Sequence, residues 1–210
     1  MVGTDVTGNQ SLGNDDTNII VGDHHNIIGG LNPGEGNLVA NSAYLGIVFN
    51  TGASDNLVSG NEIRNNKIGV EVESDPWDTG YRNTFSQNSI FANLQLGIDL
   101  EPNGLSLNDP GDTDDGGNSL LNFPVLSVGI NGVGGTACAG CTVEVFKSDN
   151  DPSGYGEGKS FIGSTVADSN GDFMVSMNLP FSRCSYFTAT ATDPQGNTSE
   201  FSENVEFGLC

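Results

Sequence analysis

The sequence feature that most constrains the fold is a short phrase that occurs three times. The copies occupy residues 45–50, 68–73 and 96–101, and each has an aliphatic residue, a Gly and then alternating apolar positions. Such alternation is typical of a half-buried strand, and its recurrence after 23 and then 28 residues indicates stacked coils of a solenoid. In-register stacking predicts six inward side chains: Ile47, Val70, Ile98, Phe49, Val72 and Leu100.

A second phrase, with Asn at its corners, precedes each Gly phrase. We align copies that begin at Asn37, Asn56 and Asn83, with an earlier copy at Asn26. Asn tolerates left-handed turns, and its amide can hydrogen-bond along a stack of coils. The two phrases together predict a parallel β-helix over residues 1–107, in which neighbouring coils bury each other's apolar faces.

The residue patterns of three segments resemble those of bacterial proteins built from right-handed parallel β-helix repeats. These segments are 2–8 (VGTDVTG), 56–61 (NLVSGN) and 97–100 (GIDL), and the resemblance covers about residues 1–120. It implies an architecture and an exported setting but no particular reaction, since that fold serves lyases, hydrolases, epimerases, adhesins and binding modules alike.

The remaining chain has a different pattern. Residues 108–122 form an acidic, Gly-rich linker, and residues 142–146, 160–166, 172–177 and 186–192 read as short strands. Regularly spaced short strands predict a β-sandwich over residues 123–210, with a hairpin turn at 169–172. Residues 189–202 resemble bacterial Ig-like repeats. The predicted fold class is therefore all-β: a short right-handed parallel β-helix followed by a small Ig-like β-sandwich.

Charge restricts the partners. The chain has 27 acidic and 6 basic residues, a net charge of −21, which disfavours nucleic acid and anionic membrane surfaces. No run is apolar enough for membrane insertion. We expect a secreted or cell-surface bacterial protein, with Met1 an added start and the chain a fragment of something longer. Open coil ends favour end-to-end pairing, so a homodimer is among the expected partners.

Four cysteines lie in the last third of the chain. An even count in an extracellular-looking composition indicates two disulfides, for which we favour Cys138–Cys141 and Cys184–Cys210. A zinc site of four thiolates is the alternative. A thioredoxin-type redox site is disfavoured because its βαβ setting is absent.

The stacked Gly phrases also place acidic side chains on one outer face. If Val70 and Ile98 point inward, then Glu71 and Asp99 point outward, about 4.8 Å apart across neighbouring strands. Glu73 and Glu101 follow on the same face. Such proximity disfavours joint ionisation. Three interpretations stay open: a solvated acidic face, a calcium site, and a glycosidase pair in which one carboxyl acts as acid and another attacks or activates water.

Two further segments carry ligand-binding chemistry. The long loop 74–82 contains Asp75, Trp77, Asp78, Tyr81 and Arg82, and aromatic rings among polar groups can stack on sugars. The alternative is that Trp77 covers apolar coil surface. The linker contains oxygen donors suited to calcium, against the alternative of an unliganded linker: Asp109, Asp112, Asp114, Asp115 and Asn118.

The leading functional hypothesis is a secreted, calcium-stabilised carbohydrate-recognition or adhesion module for a neutral polysaccharide or a cell-surface glycan. Enzymatic activity is left open at this point, with the balance of the residues against it. The first alternative is a glycoside hydrolase that uses carboxylates among Glu71, Glu73, Asp99 and Glu101. A polysaccharide lyase ranks below it, because the nearby bases stay protonated in acidic surroundings and polyuronates are repelled. The second alternative is a structural spacer whose sandwich caps the solenoid.

Overall fold

The computed structural model describes residues 1–101, 104–149, 151–177 and 184–208. Twelve short strands occupy the first half: β1 (Ile19–Val21), β2 (Ile27–Gly29), β3 (Leu38–Ala40), β4 (Leu45–Phe49), β5 (Leu57–Ser59), β6 (Glu62–Arg64), β7 (Ile68–Val72), β8 (Ser74–Asp75), β9 (Asp78–Thr79), β10 (Thr84–Ser86), β11 (Ser89–Phe91) and β12 (Ile98–Leu100). A 3-10 turn, Gly117–Leu120, follows. Seven strands complete the described fold: β13 (Val125–Gly129), β14 (Gly132–Thr136), β15 (Thr142–Ser148), β16 (Ser160–Val166), β17 (Asp172–Ser176), β18 (Ser185–Thr192) and β19 (Val205–Phe207).

The first half is a β-solenoid of about three turns. Three parallel sheets run along it, in the orders β1-β4-β7-β12, β2-β5-β10 and β3-β6-β11. The Gly phrases stack in the predicted register, with Ile47 beside Val70 and Val70 beside Ile98. The six predicted inward side chains are each no more than 2% exposed, so this prediction is confirmed.

Close packing explains the repeated Gly. A Cβ on Gly46 would lie 2.4 Å from the carbonyl oxygen of Gly69, and a Cβ on Gly69 would lie 2.4 Å from that of Gly97. Heavier residues therefore cannot occupy these positions without displacing the next coil.

The predicted alignment of the Asn phrases is partly wrong. Asn26, Asn56 and Asn83 do stack, since β2, β5 and β10 pair in register. Asn37 instead donates its backbone N–H to the Oδ1 of Asn61, and Asn61 donates to that of Asn88. Each full coil thus has three strands and several Asn corners, whereas the sequence pattern had suggested two phrases. A further column contains Asn66 and Asn93.

The second half contains two antiparallel sheets, β13-β14-β17 and β16-β15-β18-β19. They share one apolar core, to which Val133, Val143, Phe173 and Phe187 contribute. The turn at 169–172 joins β16 to β17 in different sheets, so the predicted hairpin there is wrong. Among the described residues, no helix has the length and apolarity that crossing a bilayer requires.

The second half closes the last coil of the solenoid. Leu100 donates its backbone N–H to Glu200 Oε1 at 3.0 Å, and Gln87 donates to Glu144 Oε2 at 2.8 Å. Asn93 donates its backbone N–H to Glu157 Oε2 at 2.9 Å. These carboxylates take the place that a further coil would fill.

Candidate functional site

The stack of Gly phrases brings Glu71 and Asp99 together, and we call this pair the carboxylate stack. The two residues are direct partners across β7 and β12. Their neighbours Val70, Val72 and Leu100 are fully buried in the solenoid core, so both carboxylates point outward, as predicted. The register on which the predicted site depends is therefore present.

The carboxylate stack is not a solvated face, however. Glu71 is 4% exposed and Asp99 is 3% exposed, so the interpretation of an open acidic surface is wrong for this pair. Burial, followed by repulsion from Asp99, raises the pKa of Glu71 to about 7. Burial also raises the pKa of Asp99, against a hydrogen bond at 3.1 Å from the Gly104 N–H, which lowers it.

Glu73 and Glu101 flank this pair but are only half-buried. The Ser74 N–H lies 3.4 Å from Glu101 Oε2, and the Ser74 hydroxyl donates to the Glu101 carbonyl at 2.9 Å. Both carboxylates add to the repulsion that raises the pKa of Glu71. The four predicted acidic residues thus share one neighbourhood, with two of them withdrawn from solvent.

A cavity of about 630 Å³ adjoins the carboxylate stack. Asp99 lines it, together with Tyr44, Lys67 and apolar side chains such as Leu105. The Lys67 ammonium lies 4.2 Å from the centre of the Tyr44 ring, in cation–π geometry. Sequence patterns did not single out this cavity, because its walls come from loops of two coils and from Pro152 and Ser153 of the second half.

The long loop 74–82 forms a hairpin, with β8 paired to β9. Asp75 Oδ1 accepts the backbone N–H groups of Trp77 and Asp78 at 2.8 and 2.9 Å, which fixes the tip. Trp77 at this tip is 94% exposed. The alternative that Trp77 covers apolar coil surface is therefore wrong.

The next two candidate residues are already engaged. The Tyr81 hydroxyl donates to Asp115 Oδ1 at 2.9 Å, which ties the base of the hairpin to the linker. Arg82 forms a two-pronged ion pair with Asp55 at 2.6 and 2.8 Å, and this bonding lowers the pKa of Asp55. A groove of about 390 Å³ beside the hairpin is lined by Ser74, Asp75, Pro76, Thr79, Asp115 and Gly116.

The linker brings three of its five predicted metal ligands together. Carboxylate oxygens of Asp109, Asp112 and Asp114 lie within 4.8 Å of one another. Burial, opposed by a hydrogen bond from Asn122, raises the pKa of Asp112, and repulsion from Asp109 and Asp114 adds to the increase. This group has the hard oxygen donors that calcium prefers.

The other two predicted ligands lie elsewhere. Asp115 accepts from Tyr81, as described above. Asn118 is fully buried: its Oδ1 accepts the Asn83 N–H at 2.9 Å, and its amide donates to the Asn83 and Thr198 carbonyls. Asn118 therefore ends a column of corner Asn residues, a role that the linker composition concealed.

Cys138 and Cys141 form the predicted disulfide, with their Cα atoms 5.4 Å apart. The second predicted pair, Cys184–Cys210, includes a residue that lies outside the described residues. His24 accepts the Ser54 N–H through Nδ1 at 3.1 Å.

The fold and these sites define an all-β protein with a β-solenoid of about three turns and antiparallel sheets after it. No protein-family model matches the chain. Function therefore has to be argued from the geometry of the sites.

Proposed function

We propose that the protein is a secreted, calcium-stabilised carbohydrate-recognition or adhesion module. In this proposal it belongs to a bacterial exported or cell-surface protein, and its two antiparallel sheets form an Ig-like sandwich. The observation that carries the proposal is Trp77, which is 94% exposed at the tip of a hairpin that its own hydrogen bonds hold in shape. An exposed Trp on a rigid support is a typical platform for a sugar ring.

The surroundings of Trp77 support a polar, uncharged ligand. The adjoining groove presents the Ser74 hydroxyl, the Thr79 hydroxyl and the Asp115 carboxylate, which are groups that hydrogen-bond to sugar hydroxyls. Asp75 and Asp78 on the same hairpin disfavour anionic sugars, and Arg82 is neutralised by Asp55. The ligand class we propose is therefore a neutral polysaccharide or cell-surface glycan.

The linker provides the residues of the proposed calcium site. A cation held by Asp109, Asp112 and Asp114 would relieve their mutual repulsion and order the segment that ends at Asp115. Asp115 lines the groove and holds Tyr81, so order in the linker is transmitted to the binding surface.

A hydrolase is less well supported. Glu71 and Asp99 are too deeply buried for a glycosidic bond to reach both of them without movement of the covering chain. A spacer role has one observation in its favour, because carboxylates of the second half close the last coil. Closure of this kind is compatible with glycan binding at the hairpin, because Trp77 at the hairpin tip stays exposed.

The test is binding to a glycan array with and without calcium, followed by titration calorimetry of each glycan that is retained. Trp77→Ala should weaken binding at least about tenfold, as expected for an exposed aromatic contact at a binding hot spot. Ile130→Ala is the matched control, since Ile130 is also highly exposed, at 79%, but lies in the second half.

Two results would count against the proposal. Retention of no neutral glycan in either buffer would remove the proposed ligand class. Equal losses of affinity for the Trp77 and Ile130 variants would show that the hairpin is not the binding surface. An unchanged melting temperature of the wild-type chain in chelator would contradict the calcium part alone.

A further inference from the structure

A cleft lies where the last corner of the solenoid meets the second half of the chain, and we call it the corner cleft. It consists of two cavities, of about 630 and about 390 Å³. Both are lined by Leu94, which lies between β11 and β12, and by Pro152, which lies between β15 and β16, so the cavities adjoin each other there. Volumes of this size are typical of ligand sites, which favour junctions between structural units.

The lining of the larger cavity includes a column of three polar side chains from successive coils: Tyr44, Lys67 and Gln95. The Lys67 N–H donates to the Tyr44 carbonyl at 2.9 Å, and the Gln95 N–H donates to the Lys67 carbonyl at 2.8 Å. We call this column the polar ladder. Because stacked strands repeat at roughly 4.8 Å, the ladder presents a hydroxyl, an ammonium and an amide in succession along the solenoid axis.

The polar ladder is open to a ligand. Tyr44 is 42% exposed, and Gln95 is exposed as well. Among the residues that the structure describes, neither the Tyr44 hydroxyl nor the Gln95 side-chain amide has a hydrogen-bond partner, and the Lys67 ammonium lies over the Tyr44 ring instead of in an ion pair. All three groups are therefore free to hydrogen-bond to a ligand, the ammonium as a donor, the hydroxyl and the amide as donors and acceptors.

The rest of the lining of the corner cleft contains many apolar side chains. Leu96, Leu105 and Pro152 line the larger cavity, and Phe91 lines the smaller one. Leu94, which the two cavities share, is 83% exposed. Polar groups in a column near apolar side chains suit a ligand that itself has a hydroxyl rim and apolar faces, as a sugar ring does.

The part of the lining that comes from the second half is held in place by its own hydrogen bonds. Glu157 accepts the N–H and the side-chain amide of Asn93 at 2.9 and 2.6 Å, which fastens the loop to the solenoid. Within the loop, Asp151 Oδ1 accepts the Ser153 N–H at 2.8 Å, and the Ser153 hydroxyl donates to the Tyr155 carbonyl at 2.9 Å. A wall fixed in this way lowers the entropy cost of binding.

Charge narrows the ligand class. Asp99 lines the larger cavity, and Asp149, Asp151 and Glu157 line the smaller one, whereas Lys67 is the one base in the lining that the structure describes. In a chain of net charge −21, this lining disfavours anionic sugars, and the Lys67 ammonium opposes a cationic ligand in the larger cavity. A wholly apolar ligand would leave the carboxylates and the polar ladder without partners. An uncharged polar ligand avoids all three costs.

We propose that the corner cleft binds a linear neutral oligosaccharide, as a second glycan site in addition to the Trp77 hairpin. In this arrangement, sugar hydroxyls hydrogen-bond to the polar ladder, and the C–H faces of the rings pack on Leu94 and Pro152. An extended peptide fits less well, because peptides commonly pair with a strand edge, whereas the ladder and Leu94 lie at corners between sheets. The inference rests on the proposed function for its ligand class, yet it uses none of the residues of the hairpin.

The test uses the fact that Trp77 is the only Trp in the chain. Its fluorescence reports occupancy of the hairpin alone, whereas titration calorimetry reports binding at every site. The ligands are cellohexaose, laminarihexaose, maltohexaose, mannohexaose and each linear neutral glycan that the array retains. We expect at least one of them to bind the whole chain carrying Trp77→Ala, in which the hairpin platform is removed.

Variants of the polar ladder are then made in the Trp77→Ala background. Gln95→Ala should weaken the remaining binding about fivefold, as expected for one net hydrogen bond, and Gln95→Ala with Tyr44→Ala at least about tenfold. Gln195→Ala, which removes an exposed amide from the turn after β18, is the matched control and should change the affinity less than about twofold. Both ladder side chains are exposed, so these changes should leave the melting temperature nearly unchanged.

Either of two results overturns the inference. One is a Trp77→Ala variant that binds none of the glycans; if it instead binds peptides of a tryptic casein digest, and Gln95→Ala weakens that binding, the corner cleft is a peptide site. The other is glycan binding that the ladder variants and Gln195→Ala leave equally unchanged.

These results are separable from a failure of the proposed function. A change of Trp77 fluorescence in the wild type, with no glycan bound by the Trp77→Ala variant, supports the hairpin site and removes the corner cleft. Calorimetric binding that depends on Gln95, without any change of Trp77 fluorescence, supports the corner cleft and contradicts the hairpin site.

Discussion

The two halves of the molecule satisfy their backbone groups in different ways. In the antiparallel half, the backbone groups of each strand pair with other strands of the same sheet, either β13-β14-β17 or β16-β15-β18-β19. In the solenoid, every coil depends on the next one, and its corners depend on Asn side chains that reach from coil to coil. A solenoid of this kind ends with donors that have no following coil.

The last coil shows how this problem is solved. Within a column, Asn both accepts and donates: Asn93 Oδ1 accepts the Asn66 N–H at 2.9 Å, while its own amide donates onward. At the end of that column stands Glu157, whose two oxygens take the Asn93 N–H at 2.9 Å and the Asn93 amide at 2.6 Å. An internal corner needs a donor and an acceptor. The last corner of this column needs acceptors only, which the Glu157 carboxylate supplies, whereas the column that ends at Asn118 keeps an amide.

The largest loss of stability should come from replacing an Asn at an internal corner of the solenoid. Asn61 is 2% exposed, accepts from the Asn37 N–H and donates to carbonyls of Ile28 and Ser59. Asn61→Leu keeps the volume but leaves several buried groups unpaired, so we expect a loss of about 4 kcal/mol of unfolding free energy. Urea unfolding followed by circular dichroism measures it.

A matched change outside the solenoid serves as control. Asn170→Leu alters an exposed Asn in the turn between β16 and β17 and should cost less than about 1 kcal/mol. Similar losses for the two variants would mean that the Asn columns contribute no more than ordinary surface residues, and the contrast between the two halves would disappear.

A smaller effect should follow from removing a terminal acceptor. Glu157→Ala leaves the Asn93 N–H and amide without partners in a buried place, and we expect a loss of about 3 kcal/mol. Glu200→Ala should act similarly through the N–H groups of Leu100 and Ser106. Glu206→Ala is the exposed control, and a loss of that size there would point to net charge instead of capping.

Local sequence patterns predicted the parts of the fold that repeat. The Gly phrases differ in spacing by only five residues, and apolar alternation then fixes the sheet of β4, β7 and β12. The Asn corners were assigned less well, because each coil carries more than one Asn and the sequence separations between stacked corners vary from 24 to 35 residues. Asn37 could therefore be matched to Asn56, although it lies beneath Asn61.

The candidate site was predicted in position but not in environment. The outward direction of Glu71 and Asp99, and their position beside each other, follow from the alternation and register of β7 and β12, which local sequence patterns determine. Asp99 is contacted by the segment that follows its own strand, since the Gly104 N–H donates to its carboxylate. The capping by Glu157 and Glu200 depends on contacts 64 and 100 residues apart. Carboxylates used in this way have no signature in the sequence near them, so pattern reading could not distinguish them from surface acids.

The smallest expected effect is a change of folding stability with pH. It distinguishes Glu157 and Glu200, the buried carboxylates at the end of the solenoid, from exposed carboxylates. Burial raises the pKa of Glu157 to about 7 and that of Glu200 to about 8, despite hydrogen bonds that lower both values. Between the ordinary pKa of 4.5 and these values, the folded chain holds protons that the unfolded chain has released. The stabilisation is therefore complete below about pH 4.5 and is lost as the pH rises through 7 to 8.

Stability should fall as the pH increases from 5.5 to 6.5, by up to about 1.4 kcal/mol for each such carboxyl. Glu157→Gln should lower the protein's overall stability, yet make this pH dependence shallower, since the amide cannot titrate; Glu206→Gln should leave the slope alone. Urea unfolding of the three proteins at both pH values, in chelator so that no cation competes for carboxylates, measures the slopes. A wild-type stability that rises over this interval would mean that the terminal acceptors are ionised in the folded state. The end of the solenoid would then be held by charge-assisted hydrogen bonds and would resemble a helix N-cap more than a neutral core.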